Sequence, residues 1–155
     1  MKKGFVCLLA LSLMVCFSGF AVAGEKATKA ECVAKCEEAA AMVKKIGLQA
    51  TLDKIMDKNG PFVWKDTYIF CLDLKKQCNI AHPIKPKLIG KNLMAAKDVN
   101  GKTFFAEFIN VAKSKGNGWV GYKWPKPGEK KPSPKVAYVH KVPGMDVAML
   151  AGIYE

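Results

Sequence analysis

The chain has 155 residues, 50% of them hydrophobic, and 25 basic side chains against 13 acidic ones, which gives a formal net charge of +12. This length fits one domain with ample apolar content for a core, and the charge favours anionic partners such as small carboxylates, polyanions or acidic membrane faces. All the basic residues are lysines, scattered along the chain, and nucleic-acid-binding motifs are absent, so we expect no nucleic-acid partner.

The first 23 residues have the layout of a secretory signal peptide. Two lysines precede an apolar run over residues 5–20, and the small-x-small sequence Ala21-Val22-Ala23 follows. A membrane anchor is the alternative, but the run is shorter than the roughly 20 apolar residues of a spanning helix. A lipoprotein modified at Cys16 is a weaker alternative, because the residue before it is larger than usual. We therefore expect cleavage after Ala23 and a periplasmic or secreted chain of residues 24–155.

The first part of that chain is predicted to be helical. Residues 26–58 are rich in Ala, Glu, Lys and Met, and their apolar residues recur at helical spacing. Gly47 marks a bend or a break, and Asn59-Gly60-Pro61 ends the pattern. The sequence thus predicts a long amphipathic helix within residues 24–60 that packs against the rest of the domain.

The remainder, residues 61–155, alternates between strand and helix patterns. Residues 66–73 and 78–82 are β-branched and aromatic around a short polar turn, which is typical of a hairpin. Residues 103–115 form a helical pattern that Thr103 caps and Gly116 ends. Three further strands are predicted at Gly118–Trp124, Lys135–Val142 and Asp146–Tyr154. This order predicts an α+β domain with an antiparallel sheet, one face of which lies under the N-terminal helix.

Eight short motifs occur in order along the chain: Gly60-Pro61-Phe62, Tyr68-Ile69-Phe70, His82-Pro83, Leu88-Ile89-Gly90-Lys91, Asp98-x-x-Gly101, Gly118-Trp119-Val120-x-Tyr122-x-Trp124, Lys135-x-x-Tyr138-Val139 and Gly152-Ile153-Tyr154. This set resembles the single Cache domain, type 2, a PAS-like extracytoplasmic sensor domain, here in a stand-alone secreted form. The resemblance implies a single domain over residues 24–155, with a long N-terminal helix on a PAS-like antiparallel sheet. It also implies a small-molecule pocket on the other face of that sheet.

The resemblance further implies a function in sensing. Family members with a known ligand often bind short-chain carboxylates or other small organic anions. Receptor members continue into a second membrane helix and a signalling module, whereas the sequence ends at Glu155. We therefore expect a small-anion-binding protein that acts in signal transduction or chemotaxis through a membrane receptor or kinase partner. A homodimer through the N-terminal helix is a further expectation.

The stretch GWVGYKWPKPG contains the first candidate site residues. Strand alternation places Val120, Tyr122 and Trp124 on one face and Trp119 on the other, where we assign Trp119 to the core. Tyrosine and tryptophan combine an apolar body with a hydrogen-bonding tip, which suits a small ligand with one apolar and one polar end. The resemblance places Tyr122 and Trp124 near the family's pocket.

The same resemblance places Lys135 and Tyr138 near the pocket. Because the chain contains no arginine, a carboxylate must be met by a lysine, by backbone N–H groups, or by hydroxyl and imidazole donors. Lys135 is our candidate for anion recognition, with a solvated surface lysine as the alternative. His82 matches the family's His-Pro motif, and its imidazole either donates to a ligand oxygen or caps the strand end through the backbone. Both roles stay open, and a metal role is disfavoured because His140 is the only other histidine.

The cysteines suggest both a structural bridge and a second function. Cys71 and Cys78 flank a six-residue segment, and we expect them to face each other across the hairpin and form a disulfide. Cys32 and Cys36 lie one helical turn apart, so they could form a strained bridge, pair with another chain, or remain buried thiols. The alternative function is thiol redox chemistry, or another periplasmic accessory role, at Cys32 and Cys36; the three-residue spacer disfavours the redox chemistry.

The sequence carries no pattern typical of an enzyme. It lacks a nucleophile with a paired base, a phosphate-binding glycine loop and an acidic pair. It also lacks the Cys-x-x-Cys-His motif of covalent haem, so we expect no cofactor.

Overall fold

The computed structural model describes residues 24–155, and the predicted signal peptide lies outside them. The helices are α1 (Lys29–Ile46), α2 (Leu48–Met56) and α3 (Phe104–Ser114), with a 3₁₀ turn at Pro86–Leu88. The strands are β1 (Val63–Trp64), β2 (Thr67–Asp73), β3 (Cys78–Ala81), β4 (Asn117–Pro125), β5 (Pro132–Lys141) and β6 (Val147–Tyr154). Within this part of the chain, no helix is both long and apolar enough to cross a membrane.

The N-terminal helical part consists of two helices that meet at Gly47. Gly47 has φ 86°, a left-handed value that glycine adopts without a steric penalty, so the helix breaks there. At the start of α1, the Thr28 side chain accepts a hydrogen bond from the backbone N–H of Glu31, whose carboxylate in turn accepts from the N–H of Thr28. This reciprocal capping box satisfies two N–H groups that the helix leaves unpaired and fixes where α1 begins.

The strands form one antiparallel sheet in the order β1-β2-β6-β5-β4, with β3 paired to β2. Side chains alternate between its faces, so Ile69 of β2 lies in the core under α1 while Phe70 lies in the core with α3. Two hydrophobic layers therefore enclose the sheet, and the predicted α+β class is confirmed. The two-residue strand β1 has no counterpart among the predicted elements, because it is too short to show an alternating pattern.

The expected disulfide between Cys71 and Cys78 is absent, and all four cysteines of the described residues are free thiols. In the hairpin, Cys78 pairs with Asp73 and Cys71 pairs with Ala81, with a shift in register after Cys71. The turn is centred one residue later than we assumed, because the Asp73 carboxylate accepts the backbone N–H groups of Lys75 and Lys76 and thereby starts the turn. The two cysteines are consequently not opposite each other.

Cys32 and Cys36 likewise remain thiols and lie in the core under α1 together with Cys71. Burial raises the pKa of Cys32 to about 12 and raises the pKa of Cys36 well above its usual range. Since the thiolate is the reactive form, these buried and protonated side chains are suited to packing. The structure therefore gives no support to thiol redox chemistry at this pair.

Candidate ligand-binding site

The centre of the candidate site is Lys135, whose side chain is buried in the sheet with only 1% of its surface exposed. Lys135 lies on β5 between Tyr122 of β4 and Tyr154 of β6. Its side chain passes over Gly152, where an added Cβ would lie 2.9 Å from Cε of Lys135. The absence of a side chain at Gly152 is thus what allows the lysine to extend across β6 and reach β2.

The ammonium group of Lys135 lies among aromatic rings. Its Nζ is 4.4 Å from the ring centroid of Tyr68 and 4.5 Å from that of Tyr154. Nζ donates a hydrogen bond to the hydroxyl of Tyr154 at 3.2 Å, and that hydroxyl donates to the carbonyl of Pro125 at 2.9 Å. The lysine therefore has cation–π contacts and one neutral hydrogen-bond acceptor.

Lys135 has no acidic partner in the part of the chain that the structure describes, where the ion pairs involve only Lys35, Lys65 and Lys102. Burial lowers the pKa of Lys135 from 10.5 to about 7; the negative charge of Asp66, which forms no ion pair with Lys135, opposes this shift, and the positive charge of Lys85 adds to it. A buried charge without a counter-ion is unfavourable, and a bound anion would remove that cost.

The wall beside Lys135 is aromatic. The ring of Tyr122 stacks on Phe104 at a centroid distance of 4.9 Å, and the ring of Trp124 lies 5.5 Å from Phe104. Val120, Tyr122 and Trp124 all face the α3 side of the sheet, as strand alternation predicts. Tyr122 and Trp124 help to enclose a cavity of about 20 Å³, which is space for roughly one water molecule. The residues around this cavity are Phe70, Asn79, His82, Leu88, Leu93, Phe104, Phe105, Phe108, Tyr122 and Trp124.

His82 is buried at the edge of the same cavity. Its ring lies 5.0 Å from that of Tyr68, and its Nδ1 accepts the backbone N–H of Lys85 at 3.1 Å. Burial, together with the charges of Lys135 and Lys85, lowers the pKa of His82 to about 3, so the imidazole is neutral at physiological pH. The backbone capping role is therefore present, and it leaves the proton on Nε2, the nitrogen that can donate to a ligand.

Tyr138 does not belong to this cluster. It lies three residues after Lys135 on the same strand, so alternation turns it to the opposite face, under α1. There its ring contacts Trp119 at 5.2 Å. Trp119 is 36% exposed, with the Lys29 ammonium 5.4 Å from its ring, so its assignment to the core is wrong. The reason is that β4 is the edge strand of the sheet, whereas the helix α1 packs chiefly against β5 and β6.

Several side chains of the site were not among the predicted site residues. Tyr68 and Tyr154 form the box around the ammonium of Lys135, and burial raises the pKa of Tyr68 to about 12, which keeps its hydroxyl a neutral donor. Lys85 lies with its Nζ 4.1 Å from the ring of Trp124. Only the strand register identifies the two tyrosines as neighbours of Lys135, and that register cannot be read from one strand alone.

Comparison with known proteins identifies the family of this domain. The family model described as Single Cache domain 2 matches residues 23–155. The methyl-accepting chemotaxis protein McpP of Pseudomonas putida is 34% identical over 89 residues, which are 57% of this chain and 16% of that protein. The chain therefore spans only a small part of the length of this curated relative.

Three solved structures share the fold. A methyl-accepting chemotaxis protein from Vibrio parahaemolyticus has a TM-score of 0.68 at 28% identity, over 81% of this chain and 87% of that one. A Cache chemosensory domain that recognises carboxylic acid has a TM-score of 0.62 at 33% identity, over 76% and 78% of the two chains. The periplasmic sensor domain of a chemotaxis protein has a TM-score of 0.62 at 27% identity, over 79% and 86%.

These relatives are sensor proteins of chemotaxis and not enzymes, in agreement with the absence of a catalytic pattern in the sequence. The layered architecture, with α1 on one face of the sheet and the aromatic cavity on the other, agrees with the fold that the resemblance implied. From the match over residues 23–155 and the shared fold, we conclude that the chain belongs to the single Cache domain 2 family.

Proposed function

We propose that this chain is a periplasmic ligand-binding sensor domain whose ligand is a short organic anion, with its carboxylate at Lys135. The observation that carries the proposal is the burial of Lys135 without an acidic partner among residues 24–155. A hydrogen bond between charged groups contributes roughly 1.5–3 kcal/mol. A ligand carboxylate at Nζ therefore replaces an unfavourable buried charge with a favourable ion pair.

The aromatic wall suits the apolar part of such a ligand. Tyr122, Trp124 and Phe104 present ring faces and edges to the cavity, while His82 offers an N–H donor. Mostly apolar pockets with a few placed polar groups are typical of small-molecule sites. The likeness to a Cache domain that recognises carboxylic acid, at 33% identity, further supports this ligand class.

The size of the cavity restricts the ligand and requires a movement. At about 20 Å³, it is far below the roughly 300 Å³ of typical ligand pockets. Leu88 and Leu93, on the segment between β3 and α3, cover the cavity. We infer that this segment moves outward when ligand binds, and that only short acids fit.

We further propose that the ligand-bound domain acts through a membrane receptor or a kinase, because its relatives are chemotaxis proteins. Pairing of two copies through the N-terminal helix stays a prediction. Thiol redox chemistry at Cys32 and Cys36 is not favoured, because both side chains are buried.

Isothermal titration calorimetry with acetate, propionate and pyruvate tests the proposal. The wild-type protein should bind at least one of these acids, and Lys135→Met should reduce its affinity by at least tenfold. Lys130→Met is the matched control, because Lys130 is an exposed lysine of the loop between β4 and β5. If no short acid binds the wild type, or if Lys135→Met binds as tightly as Lys130→Met does, the proposal is wrong.

A further inference from the structure

Asn79 is a polar side chain of the cavity to which neither the sequence nor the comparisons give a role. It lies on β3 opposite Leu72, on the α3 side of the sheet, and only 2% of its surface is exposed. Its backbone is fixed from two sides, because it pairs with β2 and its carbonyl accepts the N–H of Gly90 at 2.9 Å. The side chain is therefore held in a defined place at the wall of the cavity.

The carbonyl oxygen Oδ1 of Asn79 is buried and accepts no hydrogen bond from residues 24–155. A buried acceptor without a donor costs roughly 1–3 kcal/mol, so most such groups in folded proteins have a partner. Asn79 borders the aromatic cavity together with His82, Tyr122 and Trp124. The donor that Oδ1 lacks can be supplied from this cavity.

The positions of Lys135 and Asn79 determine the orientation in which a ligand binds. The Nζ of Lys135 lies against the ring of Tyr68, and that ring lies 5.0 Å from the ring of His82. His82 borders the cavity with Asn79, whereas Lys135 does not border it. A ligand whose carboxylate meets Lys135 therefore extends away from the lysine when it enters the cavity, and its far end approaches Asn79.

We propose that Asn79 determines ligand specificity by accepting a hydrogen bond from a hydroxyl group at the end of the acid that is distant from the carboxylate. This inference rests on the proposed carboxylate site at Lys135 and names the class of acid that fills it. The ligand is then a short hydroxy acid, which satisfies the buried oxygen and the buried ammonium together.

The charges around the cavity favour a hydroxyl over an ammonium donor. The positive charges of Lys135 and Lys85 both act on the imidazole of His82. No acidic residue borders the cavity among the residues that the structure describes. A neutral donor meets no repulsion there, whereas a second positive charge would be repelled.

The test compares matched pairs of acids by isothermal titration calorimetry: butyrate against 3-hydroxybutyrate and against 4-hydroxybutyrate. We expect the wild-type protein to bind at least one of the hydroxylated acids roughly tenfold more tightly than butyrate, because an unpaired buried acceptor costs that much. In Asn79→Leu, which keeps the size of the side chain but removes the acceptor, the preference should disappear. Asn110→Ala, an exposed asparagine of α3, is the control that should keep it.

The outcomes separate this inference from the proposed function. If butyrate and both hydroxylated acids bind the wild type with equal affinity, the role of Asn79 is refuted while the carboxylate site stands. If none of them binds and no short acid binds either, the proposed function fails. If Asn79→Leu folds and retains the full preference for the hydroxylated acid, Asn79 is not the residue that accepts a hydrogen bond from the hydroxyl.

Discussion

Replacing Lys135 with methionine should stabilise the ligand-free domain while it removes ligand binding. The pKa of Lys135 falls from 10.5 to about 7 on folding, and each pKa unit corresponds to about 1.4 kcal/mol. Below pH 7 the buried ammonium therefore costs on the order of 5 kcal/mol. Cation–π contacts with Tyr68 and Tyr154 offset this cost by about 1–2 kcal/mol each. Methionine keeps a similar length without the charge, so we expect a net gain of about 1–3 kcal/mol in the free energy of unfolding at about pH 6.

The pH dependence of this gain has a definite sign. Above its folded pKa, Lys135 is neutral in the native state but still protonated in the unfolded state, so the wild type becomes more stable as pH rises from about 7 to 10.5. The advantage of Lys135→Met should consequently shrink by about 3 kcal/mol between pH 6 and pH 9. Urea denaturation of both proteins, followed by circular dichroism at the two pH values, measures it. The reasoning would be refuted if Lys135→Met were less stable than the wild type at both pH values. It would also be refuted if the difference in unfolding free energy between the two proteins did not change with pH.

Four further predictions follow from the same geometry. Binding of a short carboxylate at about pH 8 should take up protons, because the anion raises the pKa of Lys135, which is otherwise mostly neutral at that pH. Calorimetry in buffers of different ionisation enthalpy measures the uptake, and its absence would contradict the prediction. The pKa of His82 is lowered to about 3, so only the unfolded state binds a proton at His82 between pH 6.5 and pH 4. Over that range the wild type should lose about 3 kcal/mol of stability relative to His82→Gln. Parallel stability curves for the two proteins would contradict this. Gly152→Ala should cost about 1–3 kcal/mol, because the new Cβ meets the Val136 carbonyl at 2.7 Å; unchanged stability in a urea titration would show that the backbone adjusts. Non-reducing mass spectrometry should find the four cysteines of the described residues as thiols. A disulfide between Cys71 and Cys78 would contradict the hairpin register.

Local sequence patterns were sufficient to predict most of the architecture. Alternation alone predicts that Tyr122 and Trp124 share one face of β4, because a strand repeats every two residues, and in the structure that face is the cavity side. The sequence predicts either a bend or a break at Gly47, since glycine either bends or ends a helix, and the structure has the break. The resemblance to a known family added the position of the pocket, which no single strand reveals.

The features that sequence could not supply are those set by pairing between distant segments. The predicted Cys71–Cys78 pairing is wrong because the turn is centred one residue later. The position of the turn is set by the two backbone hydrogen bonds that the Asp73 carboxylate accepts. The inclusion of Tyr138 in the site followed the family motif, although its odd spacing from Lys135 on one strand already places it on the other face. The tyrosine box around Lys135 depends on the packing of β2, β5 and β6, which only the folded sheet brings together.

The most direct test of the carboxylate site is a crystal structure of residues 24–155 in complex with the tightest-binding short acid. We expect a carboxylate oxygen within hydrogen-bonding distance of Nζ of Lys135, with the rest of the acid against Tyr122 and Trp124 and the segment that carries Leu88 and Leu93 moved outward. A ligand bound elsewhere on the domain, with Lys135 still buried against Tyr68 and Tyr154 as in the ligand-free protein, would contradict it.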